Sequence, residues 1–223
     1  MTKKLFFQAI LKFLLGVFLI GALLFFPAGT VRYYKAWIFM GALFVPMFLA
    51  GIVLMIANPA LLAKRLNVKE KEAEQKLVIK LSGFMFILGF VVAGLSFRYS
   101  LFVLPDILTW IGVAVFLVAY IMYAEVLREN TYLSRTIEVE ENQKVIDTGL
   151  YSIVRHPMYA STLLLFLSIP LILGSVLSFF AFLAYPFIIV KRIKNEEAVL
   201  EKELEGYSQY KTRVKYRLIP LIW

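Results

Sequence analysis

The chain has 223 residues, 61% of them hydrophobic and 17% charged, with a net charge of +9. A soluble domain is about half apolar and a quarter charged, so this composition, with a mean hydropathy of +0.79, describes an integral membrane protein. No cysteine and a single histidine exclude disulfides, thiolate catalysis, iron–sulfur clusters and multi-histidine metal or haem sites.

Leu5 to Phe26 is apolar except for Gln8 and Lys12. It is long for a signal peptide and no small-residue cleavage site follows, so a retained first helix is expected. Ala36 to Ala57 carries no charge and forms the second span. The third runs from Leu81 to Phe97, extended back toward Leu77 with Lys80 snorkelling to the interface. Ile107 to Ala124 is the fourth. Met158 to Val190 is then 33 residues without a charge. As one straight helix it would reach about 50 Å, against a hydrocarbon core of roughly 30 Å. Pro170 and the pair Gly174–Ser175 divide it, which predicts a tight hairpin of two helices. The second arm continues past the membrane as "KRIKNEEAVLEKELEGY", stopped near Gly206. The expected fold is all-α, a single polytopic membrane domain over residues 1–223 with five to six membrane segments. Residues 1–100 supply N-terminal helices, and residues 101–223 the core with its C-terminal hairpin.

Lysine and arginine placement orients these segments. The stretch "KRLNVKEKEAEQK" holds five basic residues and the tail after Val190 holds eight, against two in the turn from Arg32 to Lys35 and one near Arg98. The positive-inside rule places both termini, the second-to-third loop and residues 127–157 in the cytoplasm. An unbroken fifth helix would put the basic tail outside; a hairpin returns it. The basic residues flank apolar runs and form no separate basic domain, so they suit anionic lipid rather than nucleic acid.

"GLYSIVRHPMYAS", residues 149 to 161, opens the longest uncharged run and contains the only histidine, His156. Asp147, Thr148 and Gly149 read as a turn, and Pro157 fits a first helical position. The N–H groups of Met158, Tyr159 and Ala160 would then lack intrahelical partners. Free donors beside an imidazole and a phenol suit a polar cofactor at the lipid–water boundary. Across the hairpin, Arg192 and Glu196 are four apart and share a helix face. By itself that pair reads as an ordinary helix pair, Glu197, Glu201 and Glu205 read as a solvated face, and Arg155 reads equally as a headgroup anchor. Asn130 and Arg135 are further candidates for the pocket, while Tyr33, Tyr34, Trp37, Trp110 and Tyr120 read as interfacial or packing residues.

"GLYSIVRHPMY", a hydrophobic hairpin and then "KRIKNEEAVLEKELEGYSQYKTRVKYRLIP" resemble the isoprenylcysteine carboxyl methyltransferase and phospholipid methyltransferase superfamily, over roughly Glu129 to Pro220. The resemblance implies S-adenosylmethionine bound at a cytoplasmic pocket. It places Gln143, Lys144, Val145 and Ile146, then Tyr151, His156, Pro157, Met158 and Tyr159, around the cofactor. It places Arg192 and Glu196 near the methyl-accepting end of the substrate, and in the phospholipid branch assigns the Glu196–Glu197 pair to the cofactor.

Methyl transfer is a direct displacement, so its main demands are alignment and exclusion of water. A carboxylate acceptor needs no base and could be oriented by Arg192. An amine would need Glu196 or His156 to take a proton, and a thiol would have to be held as thiolate. The expected acceptor is lipophilic, either small or prenylated, and reaches the site from the bilayer. Isoprenylcysteine carboxyl methylation leads, with phospholipid amines and small thiols as alternatives. A sterol-reductase-like enzyme binding NADPH and a non-enzymatic scaffold are the rivals of another class.

Overall fold

The computed structural model describes residues 3–66, 73–133, 139 and 141–223. The basic loop positions Lys69 and Lys71, and the pocket candidate Arg135, lie outside the described residues. The chain is all-helical. Helices α1 (Lys3–Ala28), α2 (Tyr34–Ala57), α4 (Ala73–Tyr99) and α5 (Asp106–Glu129) correspond to the four predicted single spans, with the eight-residue α3 (Pro59–Leu66) between α2 and α4. A 3₁₀ turn at Gly149–Ser152 leads to α6 (Pro157–Leu173), α7 (Val176–Phe182), α8 (Ala184–Glu203) and α9 (Tyr207–Arg213). Among the described residues, five segments are long and apolar enough to cross a bilayer, the last being Val176–Glu203, and α6 is a shorter apolar helix.

The bundle is dressed for lipid. Phe7, Phe18, Phe26, Ile56, Phe84, Ile121 and Phe187 stand exposed, while the core gathers Leu24, Phe39, Phe90, Phe116, Ile172 and Phe182. Helix α6 lies against α5 along its length and also touches α2, α4, α7 and α8. Glycine makes the α5–α6 approach possible: a Cβ on Gly112 would stand 3.0 Å from the Ile172 backbone nitrogen. Van der Waals packing and small residues are what hold membrane helices together. Polar ties add to this, with Ser175 Oγ donating to Ser96 Oγ at 2.8 Å and Ser178 Oγ to the Gly89 carbonyl at 2.9 Å.

The hairpin reverses at one of the two expected breaks. Pro170 stays inside α6, and the reversal falls at Gly174, which takes φ +70, and at Ser175, whose Oγ caps α7 by accepting from Ser178 N. The returning arm is itself broken at Leu183. Pro186 supplies the reason: it lacks an N–H and so suits the first turn of a new helix better than the interior of an old one.

Helix α3 was not expected. Asn58 Oδ1 accepts from Leu61 N at 3.0 Å, and Pro59 fills the first position, a helix start of ordinary chemistry. It buries Leu61 and Leu62 and carries Arg65 to within 5.5 Å of the Tyr123 ring.

The two ends of the bundle differ. At one, Tyr33 Oη donates to the Leu173 carbonyl at 2.6 Å, and Lys35 Nζ donates to the Leu104 carbonyl and pairs with Asp106, both at 2.9 Å. Tyr33 is thus a packing residue. At the other end the loop from α5, the start of α6, the end of α8, α9 and the C-terminal segment converge.

Candidate active site

The approach to α6 is shaped by a glycine. Gly149 has φ +50, and a Cβ there would fall 2.1 Å from Glu129 Oε1. No side chain fits that conformation and that gap together. The turn buries Tyr151, whose Oη accepts from Asn130 Nδ2 at 2.9 Å and whose carbonyl accepts from Tyr210 Oη at 2.7 Å. Loop, turn and α9 are thereby tied.

Residues 155 and 156 are then pinned by the C-terminal segment: Arg155 N donates to the Tyr216 carbonyl and His156 N to the Arg217 carbonyl, both at 2.9 Å. His156 occupies the N-cap of α6 and Pro157 its first position. The expectation of three free N–H groups is corrected here. Tyr159 N and Ala160 N both donate to the His156 carbonyl, at 3.0 and 3.1 Å, because the cap carbonyl is shared across a tight first turn.

Behind His156 lies a buried ionic cluster. Glu197, 3% exposed, receives Arg155 Nε on Oε1 at 2.7 Å and Arg217 Nε on Oε2 at 2.7 Å, and His156 Nε2 lies 3.2 Å from Oε1. Arg155 Nη1 also donates to the carbonyls of Val214 and Lys215 at 2.8 Å. Two readings change: Glu197 is no part of a solvated face, and Arg155 anchors no headgroup. A carboxylate taken out of water needs such partners, and the tail folding back over α6 provides them.

In front of His156 the hairpin closes as expected. Tyr159 Oη donates to Glu196 Oε2 and accepts from Arg192 Nε at 2.9 Å. The Tyr159 ring lies under the Arg192 guanidinium at 6.0 Å and against the His156 ring at 5.7 Å. Imidazole, phenol, guanidinium and carboxylate thus meet at one end of the bundle.

One cavity joins them, enclosing about 860 Å³ when its solvent-open part is counted. Gln143, Lys144, Val145 and Ile146 line it from the loop; Tyr151, His156, Met158 and Tyr159 from the turn and α6; and Arg192 and Glu196 from α8. Pro157 and Glu197 are not in the lining: Pro157 sets the helix start, and both Glu197 oxygens are engaged behind His156. Asn130 lines the cavity as well.

Tyr132, Leu133, Arg155, Val199, Leu200, Leu204, Tyr207 and Tyr210 also contribute and were not anticipated as lining residues. Tyr207 and Tyr210 stand three apart in "GYSQY" and so share a face of α9, a signal the sequence held. Burial holds the phenols of Tyr151, Tyr207 and Tyr210 above the ordinary tyrosine range, so they act as neutral hydroxyls near neutral pH.

Comparison with known proteins gives a concordant picture. Residues 107–206 match the phospholipid methyltransferase family, PEMT. A stretch of 91 residues, 40% of this chain, is 31% identical to the Delta(14)-sterol reductase TM7SF2 of Mus musculus and spans 22% of that protein's length. The fold superposes on the eukaryotic intramembrane Ras methyltransferase ICMT (isoprenylcysteine carboxyl methyltransferase) with a TM-score of 0.57, covering 97% of this chain and 84% of that one at 19% identity. The chain thus shares its fold with ICMT, and residues 107–206, a little under half of it, match the phospholipid methyltransferase family.

Proposed function

We propose that this chain transfers a methyl group from S-adenosylmethionine to a lipophilic acceptor, foremost the carboxylate of an isoprenylcysteine. The observation that carries the reading is the junction at Tyr159, where one phenol oxygen is shared by Arg192 and Glu196 on the wall of the cavity. The lining suits the cofactor. Glu196 offers a carboxylate for an ammonium or a diol, and Val145, Leu200 and Leu204 offer an apolar wall for a purine. When bound, S-adenosylmethionine supplies a methyl group on a sulfonium, open to direct displacement.

The chain's own residues divide the remaining work. Gln143, Lys144, Val145, Ile146, Tyr151, His156 and Met158 surround the cofactor. Pro157 fixes the start of α6, and Glu197 positions His156 from behind. Arg192 orients the acceptor carboxylate by charge-assisted hydrogen bonds. Tyr159 and Glu196 fix that guanidinium, so alignment is set before the acceptor arrives. The ionised acceptor is itself the nucleophile and needs no base. The site faces the cytoplasm, and the acceptor approaches from the bilayer.

The 31% identity to a sterol reductase favours one rival, reduction with NADPH. Titrating the reconstituted protein with S-adenosylhomocysteine and with NADPH separates the two. We expect the first to bind and the second not to, with radiolabelled methyl transferred to a prenylcysteine analogue in preference to phosphatidylethanolamine or an aliphatic thiol. Tighter binding of NADPH overturns the proposal.

A further inference from the structure

Residues 216–223 close into a hook at the cavity end of the bundle. The N–H groups of Arg217, Leu218 and Ile219 donate to the Trp223 carbonyl at 3.0, 2.9 and 3.2 Å, and those of Ile222 and Trp223 donate to the Ile219 carbonyl at 3.2 and 3.1 Å. Pro220 has no N–H to satisfy. The hook's backbone is thus hydrogen-bonded within itself, which is the condition for entering a medium that offers no partners.

Its side chains point two ways. Leu218 belongs to the core that also holds Tyr159, Ile189 and Ile193, and Trp223 packs against that core. The hook therefore lies beside the start of α6, apart from the separate core of α9. Leu221 and Ile222 stand outward, 85% and 77% exposed, and Ile219 and Ile153 are exposed as well. Lys215, also exposed, precedes them. An apolar tip with a basic flank suits the boundary of an anionic leaflet.

Leu221 carries an independent sign. It takes φ +67, a left-handed conformation that is strained for a leucine. So exposed a side chain gains no packing within the protein to offset that strain, and the compensating contact lies outside the chain.

We infer that the hook seats Ile219, Leu221 and Ile222 among the acyl chains of the leaflet at the cavity end, and that this seating steadies His156. Lipid is the occupant because the hook's backbone is closed on itself and its inner side chains join the core of helices that face lipid. The connection to the site is short. The Arg217 guanidinium lies 5.2 Å from the Trp223 ring and donates from Nε to Glu197 Oε2 at 2.7 Å. Glu197 Oε1 lies 3.2 Å from His156 Nε2, and His156 N donates to the Arg217 carbonyl. A hook lifted from the bilayer loosens both holds on that residue.

The chain has no cysteine and one histidine, so two clean probes exist. Leu221→Cys and Ile222→Cys, labelled with bimane in nanodiscs, should be quenched by phosphatidylcholine carrying a nitroxide high on its acyl chain and spared by iodide. Ser208→Cys, exposed on α9, should show the reverse. Quenching of the hook probes by iodide overturns the inference, and so does protection from both quenchers, which would mean that protein covers the patch. With selectively labelled histidine, the single imidazole resonance should shift or split when Leu221→Asp and Ile222→Asp are combined. Lipid quenching with an unmoved resonance overturns the hold on His156. If the double variant does not fold, Ile222→Ser gives the milder perturbation for the same reading. Neither measurement uses the cofactor, so the outcome is separate from that of the proposed reaction.

Discussion

Removing one oxygen from Tyr159 would separate three groups that now share it. In Tyr159→Phe, Arg192 and Glu196 keep their places one turn apart on α8 but lose the common hydroxyl. Hydrogen bonds to charged groups are worth roughly 1.5–3 kcal/mol, so turnover with a prenylcysteine analogue should fall about 10- to 100-fold. The melting temperature should move less than activity, because the ring keeps its place in the core and only the hydroxyl is lost. Full activity in this variant would remove the residue from the mechanism. Glu197→Gln should behave in the opposite way. Three partners converge on that carboxylate, and stripping the charge from a buried cluster costs about 3–5 kcal/mol. A large drop in thermal stability is expected, with cofactor affinity falling because His156 loses its support. A melt superimposable on the wild type would show that the cluster is not structural. His156, Arg192 and Glu196 were legible through the motif that carries the family resemblance, since a helix start and a four-residue spacing suit ordinary structural roles as well. Glu197 was misread as solvated because its partners Arg155 and Arg217 lie 42 and 20 residues away in sequence, and only a tail that folds back brings them in.

Elements were legible where lipid dictates them and obscure where small backbone events do. The long apolar spans follow from hydropathy alone, and the reversal of the last one from the mismatch between its length and the bilayer. The site of reversal was only half legible, since Pro170 and Gly174 both break helices by propensity and only the residue at the end of the packed face does so here. The 3₁₀ turn is the element on which the pocket most depends. Gly149→Ala forces a Cβ into the Glu129 carboxylate at a positive φ, a combination costing on the order of 1–3 kcal/mol for the backbone alone. We expect weaker binding of S-adenosylhomocysteine, because Tyr151 and residues 143–146 shift with the turn. Adding Glu129→Ala should restore the steric part and leave the backbone part. Binding by Gly149→Ala equal to the wild type would show that the turn does not set the pocket.

At the scale of the molecule, the two ends of the bundle are chemically unlike, and that asymmetry bears on how the chain sits in a membrane. The cavity end gathers the end of α5, α3, the start of α6 and the end of α8, and with them Lys64, Arg65, Lys191, Lys194, Lys202, Lys211 and Arg213. The far end gathers the turn at Val31, the end of α4 at Tyr99 and the hairpin reversal at Gly174, with Arg32, Lys35 and Arg98 as its basic residues. Lys35 is already neutralised by Asp106, so the free positive charge of the far end is smaller than its count. By the positive-inside rule the basic bias supports the proposed cytoplasmic placement of the cavity, where S-adenosylmethionine would be supplied. The absence of cysteine makes this directly testable with single introduced thiols. Glu141→Cys and Lys202→Cys should react with an impermeant maleimide only from the cytoplasmic side. Val31→Cys and Tyr99→Cys, both exposed at the opposite end, should react only from the other. If Glu141→Cys and Lys202→Cys label from opposite sides, the two halves of the cavity do not face one compartment. If all four invert together, the fold stands but the cofactor must come from outside, which a cytosolic methyl donor cannot do.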